Sequence, residues 1–247
     1  MVSRQFRARY LQSLLGSAWA LLNPAAMIAI YTVIFSQVMR ARLPGVDDTF
    51  SYSIYVCAGL LPWTYFSELV GRSLTVFLDH AGLLKKVSFP RSSLPLIVLL
   101  SSTVNFAILF GLFLVVLAAV GRFPGWVVLA LVPLLVLQQA FALGLGTVLG
   151  VLNVFFRDVA QLVGVALQFW FWLTPIVYSP AILPEWARGA VAWNPMTQLV
   201  GAYQQILVAG VAPAWWTLRL HAVGAGLALA LAVLVFDRLS GEMVDEL

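Results

Sequence analysis

Six stretches of this chain run for roughly twenty residues or more without a charged side chain. They lie between Arg9 and Arg40, Asp48 and Glu68, Arg91 and Arg122, Arg122 and Arg157, Asp158 and Glu185, and Arg219 and Asp237. A helix rises about 1.5 Å per residue, so about 20 apolar residues cross the hydrocarbon core of a bilayer. In water such helices would expose large apolar patches. Of the 247 residues, 62% are hydrophobic and 10% charged, against about a quarter charged in a soluble domain. The mean hydropathy of +0.97 says the same. Lipid is the solvent that fits.

The expected fold is an all-α membrane protein of one domain. Spans are expected at 24–40, 52–78, 95–120, 125–155, 159–179 and 217–237, with a cytoplasmic loop at 80–94. The GRFPG sequence at Gly121–Gly125 divides the third from the fourth. Residues 189–218 are also free of charge, yet they hold Asn194, Pro195, Gln198, Gln204, Gln205 and Pro213. Breaks at membrane depth need protein or water around them. Residues 181–212 are therefore expected as two short helices that dip into the outer leaflet and return. The alternative is a seventh span.

Six spans put both termini on one side, and basic residues choose that side. With the N-terminus inside, Arg4, Arg7, Arg9, Lys85, Lys86, Arg91, Arg157 and Arg238 are cytoplasmic. Arg40, Arg42, Arg122, Arg188 and Arg219 are then outside, and Arg72 is ambiguous. Eight against five favours cytoplasmic termini. The net charge of +4 reflects this distribution rather than affinity for nucleic acid.

Before the first span, Gln5, Arg9, Gln12, Gly16 and Asn23 share one helical face, with Phe6, Tyr10, Leu11, Leu14, Leu15 and Trp19 over much of the rest. Residues 1–23 are expected as a helix in the headgroup plane, anchored by Tyr10 and Trp19 and ended at Pro24. The alternative is an overlong start to the first span. No small-residue cleavage pattern follows Arg4, Arg7 and Arg9, so this segment is expected to be retained.

Several chemistries have no motif. Cys57 is the only cysteine, which excludes an intrachain disulfide and a cysteine metal cluster. There is no phosphate-binding G-x-x-x-x-G-K-[ST], no G-x-S-x-G and no H-E-x-x-H. His80 and His221 stand alone. The small residues of GLGTVLG at Gly144–Gly150 suit close helix packing rather than nucleotide binding. The chain is expected to be no enzyme and to hold no cofactor or metal of its own.

Three features remain as candidates. Glu68 and Arg72 lie four apart on one helix face. Charge at the bilayer centre costs about 3 kcal/mol on insertion scales, so the pair either lines a polar path or sits at an interface. Trp63, Tyr65, Phe66, Trp170 and Trp172 are either a conduit lining or part of an aromatic belt. In the loop, Leu83, Leu84, Phe89 and Pro90 stand among Lys85, Lys86 and Arg91. Apolar anchors inside a basic rim fit a docking surface. Contact with anionic lipid is the alternative.

The segments that carry these candidates resemble the permeases of type-two ABC exporters. In order they are RYLQSLLGSAWALLNP (Arg9–Pro24), GLLPWTYFSE (Gly59–Glu68), GLLKKVSFPRSSLP (Gly82–Pro95), SSTVNF (Ser101–Phe106), NVFFRDV (Asn153–Val159), TPIVY (Thr174–Tyr178) and WNPMT (Trp193–Thr197). The resemblance is closest to the branch that exports O-antigen, capsule and teichoic acid. It implies an in-plane N-terminal helix, six spans and re-entrant helices before the last. It implies a homodimer working with two copies of an ABC ATPase, which carry the ATP and Mg. Leu83, Leu84, Lys85, Lys86, Phe89, Pro90 and Arg91 would meet the ATPase, with Arg157 and Asp158 as a second contact. The implied cargo is a lipid-linked polysaccharide and the implied location the bacterial inner membrane. Arg4, Arg7 or Arg9 would meet the anionic lipid head group. Export of drugs or lipids, or an ATPase-independent flippase, are the other readings.

Overall fold

A computed structural model describes residues 49–86 and 90–246, together with Ala26 and Ile30, which are helical. All regular structure among the described residues is helical. The long helices are α1 (Thr49–Asp79), then after a short α2 (Ala81–Lys86), α3 (Ser93–Ala119) and α4 (Leu131–Phe155). Next come α5 (Asp158–Leu173), the short α6 (Glu185–Ala192) and α7 (Pro195–Gln204), then α8 (Arg219–Leu239) and a terminal turn, α9 (Met243–Glu246). Among the described residues, three segments are long and apolar enough to cross a membrane: Ser93–Ala119, Gly125–Phe155 and Trp215–Leu239. The last two begin with 3-10 turns at Gly125–Ala130 and Trp215–Leu218. The expected interface helix and first span lie outside the described residues, Ala26 and Ile30 apart.

α1 covers the whole of the expected 52–78 span as one helix of 31 residues. It is less apolar than the three, and among the described residues it packs against α3, α4, α5, α7 and the turn at 205–209. A helix wrapped in protein has no need of uniform apolarity. Val56, Ala58, Phe66, Leu69, Val70 and Phe77 are fully buried along it.

One expectation about length is corrected, and the alternative of a seventh span meets two short helices instead. Helix α5 stops at Leu173 rather than 179, because Thr174 precedes Pro175 and takes an extended conformation with φ −101° and ψ 128°. Its 16 residues give about 24 Å. Between 189 and 218 no single helix runs. Asn194 ends α6 and caps α7, its Oδ1 accepting from Met196 N at 3.0 Å with Pro195 in the first turn. At roughly 12 and 15 Å, α6 and α7 are each too short to cross a bilayer. A π-turn at Gln205–Ala209 closes on Gly210, whose φ of 64° suits glycine.

Cross-helix pairs give the directions. Asn153 meets Leu74 and Gln138 meets Pro62, so α1 and α4 run the same way. Phe141 faces His221, and Gly144 faces Ala228, so α8 runs with them. Asn105 meets Glu68 while Ser101 meets Arg72, so α3 runs against α1. The close approach of α4 depends on its glycines. A Cβ on Gly144 would stand 2.6 Å from the backbone of Ala228, and one on Gly150 would stand 2.5 Å from the Ser73 carbonyl.

Candidate functional site

One end of the bundle gathers the candidate docking residues. Asp79 ends α1, and the His80 carbonyl accepts the amides of Leu83 and Leu84 at 2.9 and 3.1 Å, turning the chain straight into α2. Leu84 turns inward and is buried, while Leu83 and Lys85 are exposed. Pro90 is exposed; Arg91 is half-buried and donates to the main-chain carbonyl of Ser240 at the end of α8. The chain then enters α3 through Ser93, whose Oγ donates to Pro90 O at 2.7 Å. The side chain of Lys86 and all of Phe89 lie outside what is described.

Arg157 and Asp158 are on the same end. Asn153 holds their turn against α1: its Nδ2 donates to Leu74 O at 3.0 Å and its Oδ1 accepts from Ala160 N at 3.1 Å. Phe156, Arg157 and Asp158 are all exposed. The terminal turn α9 packs against both α2 and α4, with Met243 fully buried. The structure therefore brings residues 80–86 and 90–91, the FFRD turn and the C-terminal turn to one surface. Exposed Leu83 and Phe156 give it apolar points among charges of both signs, Lys85 and Arg157 with Asp79, Asp158 and Glu242.

Glu68 and Arg72 form a second cluster between α1 and α3. Arg72 Nη1 reaches Glu68 Oε1 at 3.2 Å and Ser102 Oγ at 2.9 Å, and its Nη2 reaches Ser101 Oγ at 2.9 Å. Asn105 Nδ2 donates to the other carboxylate oxygen at 3.2 Å. A helical turn away, Tyr65 OH and Gln139 Nε2 both meet Thr103 Oγ1, at 2.8 and 3.0 Å. The ion pair is a quarter to a third exposed. Both carboxylate oxygens and both terminal guanidinium nitrogens therefore have partners within an apolar helix pair. Charge alone singles out only Glu68 and Arg72 in the sequence. Their partners are visible there as polar residues inside apolar stretches, at Ser101-Ser102-Thr103, Asn105 and Gln138-Gln139.

The aromatic candidates divide. Trp63, Tyr65 and Phe66 are inside the protomer, 5%, 2% and 0% exposed. Phe66 stacks on Phe141 at 5.7 Å, Trp63 and Phe66 meet Trp170 edge-on at 6.2 and 5.4 Å, and Tyr65 stacks on Phe106 at 4.6 Å. Their faces are spent on each other, so the expected conduit lining is corrected for these three: they are core. Trp170 is half-buried and donates through Nε1 to Asn194 Oδ1 at 2.8 Å, tying α5 to the α6–α7 turn. Trp172 is exposed. Arg4, Arg7, Arg9, Tyr10 and Trp19 lie outside the described residues.

Residues 1–208 match the ABC-2 type transporter family. The chain is 36% identical over 208 residues to the O-antigen export system permease protein RfbA of Myxococcus xanthus, covering 83% of this chain and 78% of that one. It is 29% identical to a protein of the same name from Klebsiella pneumoniae, over 85% of this chain and 79% of that one. It is 24% identical to the polysialic acid transport protein KpsM of Escherichia coli, over 84% and 79% of the two. The match spans most of each partner and takes in α1, the loop, the FFRD turn and the α6–α7 pair. The chain belongs to the ABC-2 type transporter family.

Proposed function

We propose that this chain is the membrane-spanning permease subunit of an ATP-driven exporter, and that its cargo is a lipid-linked polysaccharide. The observation that carries the cargo is the 36% identity to an O-antigen export permease across most of both chains. The geometry supports the coupling: exposed Leu83, Lys85, Pro90, Phe156, Arg157 and Asp158 share one end of the bundle, where a soluble ATPase would dock. ATP and Mg belong to that ATPase, since this chain has no phosphate-binding loop.

The working unit is two permeases with two ATPases, in the inner membrane of a bacterium, with both permease termini in the cytoplasm. Each permease crosses six times. α6 and α7 form a re-entrant pair from the outer side. Arg4, Arg7 or Arg9 on the interface helix meets the anionic lipid head group. ATP binding closes the ATPase pair, and the 80–94 segment carries that movement into α1 and α3. Glu68 and Arg72 form a polar rung along the path, with exposed Trp172 nearer its outer end.

The test is co-purification. The detergent-solubilised chain is pulled from its native membrane and ATPase activity is assayed in the eluate, beside a Lys85→Glu, Lys86→Glu variant. Activity with wild type and its loss with the variant are expected. A wild-type preparation without ATPase activity would refute the exporter and leave an uncoupled flippase.

A further inference from the structure

The helix α2, at the coupling end, has six residues. Helices shorter than about 12–15 residues are marginal in water without tertiary support. Among the described residues, the elements packed on α2 are α1, with which it is nearly continuous, and α9. α9 is thus the support that α2 draws from a distant part of the chain. Among the described side chains, Leu84 is the one that α2 buries and Met243 the one that α9 buries. Both belong to the apolar core.

The segment that carries α9 also meets the other parts of this surface. α9 packs on α4, the helix that leads into the FFRD turn. Just before α9, the Ser240 carbonyl accepts from Arg91 at the entry to α3. Residues 240–246 therefore touch both legs of the loop between α1 and α3, and the helix that ends at Phe155. The resemblance places the docking residues at Leu83 to Arg91, Arg157 and Asp158, all inside the residues 1–208 that match the family. The segment that braces them lies outside that match.

We infer that α9 is a clip for the docking helix: Met243 positions α2, and with it Leu83 and Lys85, for the ATPase subunit. Met243 acts through α2 and is a positioning residue. A partner that meets a helix already folded is spared its ordering cost, and apparent affinity falls with the fraction of time the competent form is populated. Met243→Asp sets a carboxylate in a fully buried apolar site, so α9 lifts away and α2 frays. Met243→Leu keeps the apolar volume and keeps the clip. The inference rests on the export reading above.

Two measurements test it. Hydrogen exchange is followed across Ala81–Lys86 in the full-length permease, expressed without the ATPase and solubilised in detergent. Co-purified ATPase activity is measured from the membranes of cells that make both subunits. Met243→Asp should expose the amides of α2 while α4 stays protected, and should lower the retained ATPase about tenfold at equal permease. Met243→Leu should match wild type in both. If Met243→Asp does not accumulate, Met243→Ala carries the same expectations with a smaller loss. Unchanged exchange in α2, or ATPase retained at the wild-type level once those amides are exposed, would overturn the clip. So would a loss in Met243→Leu as large as in Met243→Asp. Glu242→Gln with Glu246→Gln changes exposed side chains of the same turn and leaves Met243 in place, and it should keep the ATPase. If that variant sheds the ATPase while α2 stays protected, α9 is itself the contact and the positioning role fails. The export reading is scored separately: wild type without ATPase refutes it, and exchange in α2 still judges whether Met243 holds that helix.

Discussion

Gln138 donates through Nε2 to the main-chain carbonyl of Pro62 at 2.6 Å. Its other amide atom, Oε1, accepts the Tyr203 hydroxyl at 3.1 Å. The glutamine is fully buried, so one side chain ties α4 to the proline turn of α1 and to the end of α7. In an apolar interior a polar group left alone costs about 1–3 kcal/mol. Gln138→Leu should therefore lower thermal stability in detergent, since it strands the Tyr203 hydroxyl. Tyr203→Phe added to it should recover part of the loss. Additive losses in the double variant would show that the two residues act separately.

The glycines of α4 make a sharper contrast. Gly150→Ala brings a Cβ against the Ser73 carbonyl, and Gly144→Ala brings one against the backbone of Ala228. Backbone cannot swing aside as a side-chain end can, so α4 must move from its neighbours. About 1–3 kcal/mol of destabilisation is expected from each. Gly71→Ala and Gly164→Ala meet nothing within 4 Å and should be neutral or better, because each helix gains propensity. Folded yield by fluorescence-detected size exclusion compares all four. Equal yields would refute the packing account.

Arg72 serves three acceptors, and Glu68 is one of them. Arg72→Met should cost more stability than Glu68→Gln, because the single amide oxygen can still accept from Arg72 and only the Asn105 bond loses its acceptor. Partial exposure limits the coupling between the two charges to roughly 1 kcal/mol in a double-mutant cycle. A coupling near zero would mean that Ser101 and Ser102 alone position the guanidinium.

Arg91 joins the start of α3 to the carbonyl end of α8 through Ser240. A cation at a helix C-terminus also suits the helix dipole. Arg91→Ala should leave the complex assembled and hydrolysing ATP, while transport per ATP falls several-fold. Arg91→Lys, which keeps charge and a donor, should retain more. Simultaneous loss of ATPase binding in Arg91→Ala would assign the residue to docking rather than to transmission. Surface glycan and ATPase activity in the same membranes read both.

Charge-free run length, with the basic residues between runs, is enough to find α1, α3, α4 and α8 to within a few residues. Lipid tolerates so little else that the sequence carries that information locally. The break at Asn194-Pro195 is legible for the same reason, because cap and proline act on their own neighbours. Run length alone misplaces the end of α5 by six residues, although Thr174-Pro175 already marks it. Which aromatics face inward is not legible. Trp63 and Trp172 look alike in sequence, and only the packing of α1 against α5 buries one and exposes the other. The same holds for His221: its place beside Phe141 follows from how α8 seats on α4, a relation between residues far apart in the chain. Local chemistry determined the helices and their boundaries. The partners of Glu68, Arg72 and Gln138 were decided by tertiary packing, since hydrogen bonds across helices depend on register and rotation that no single segment encodes.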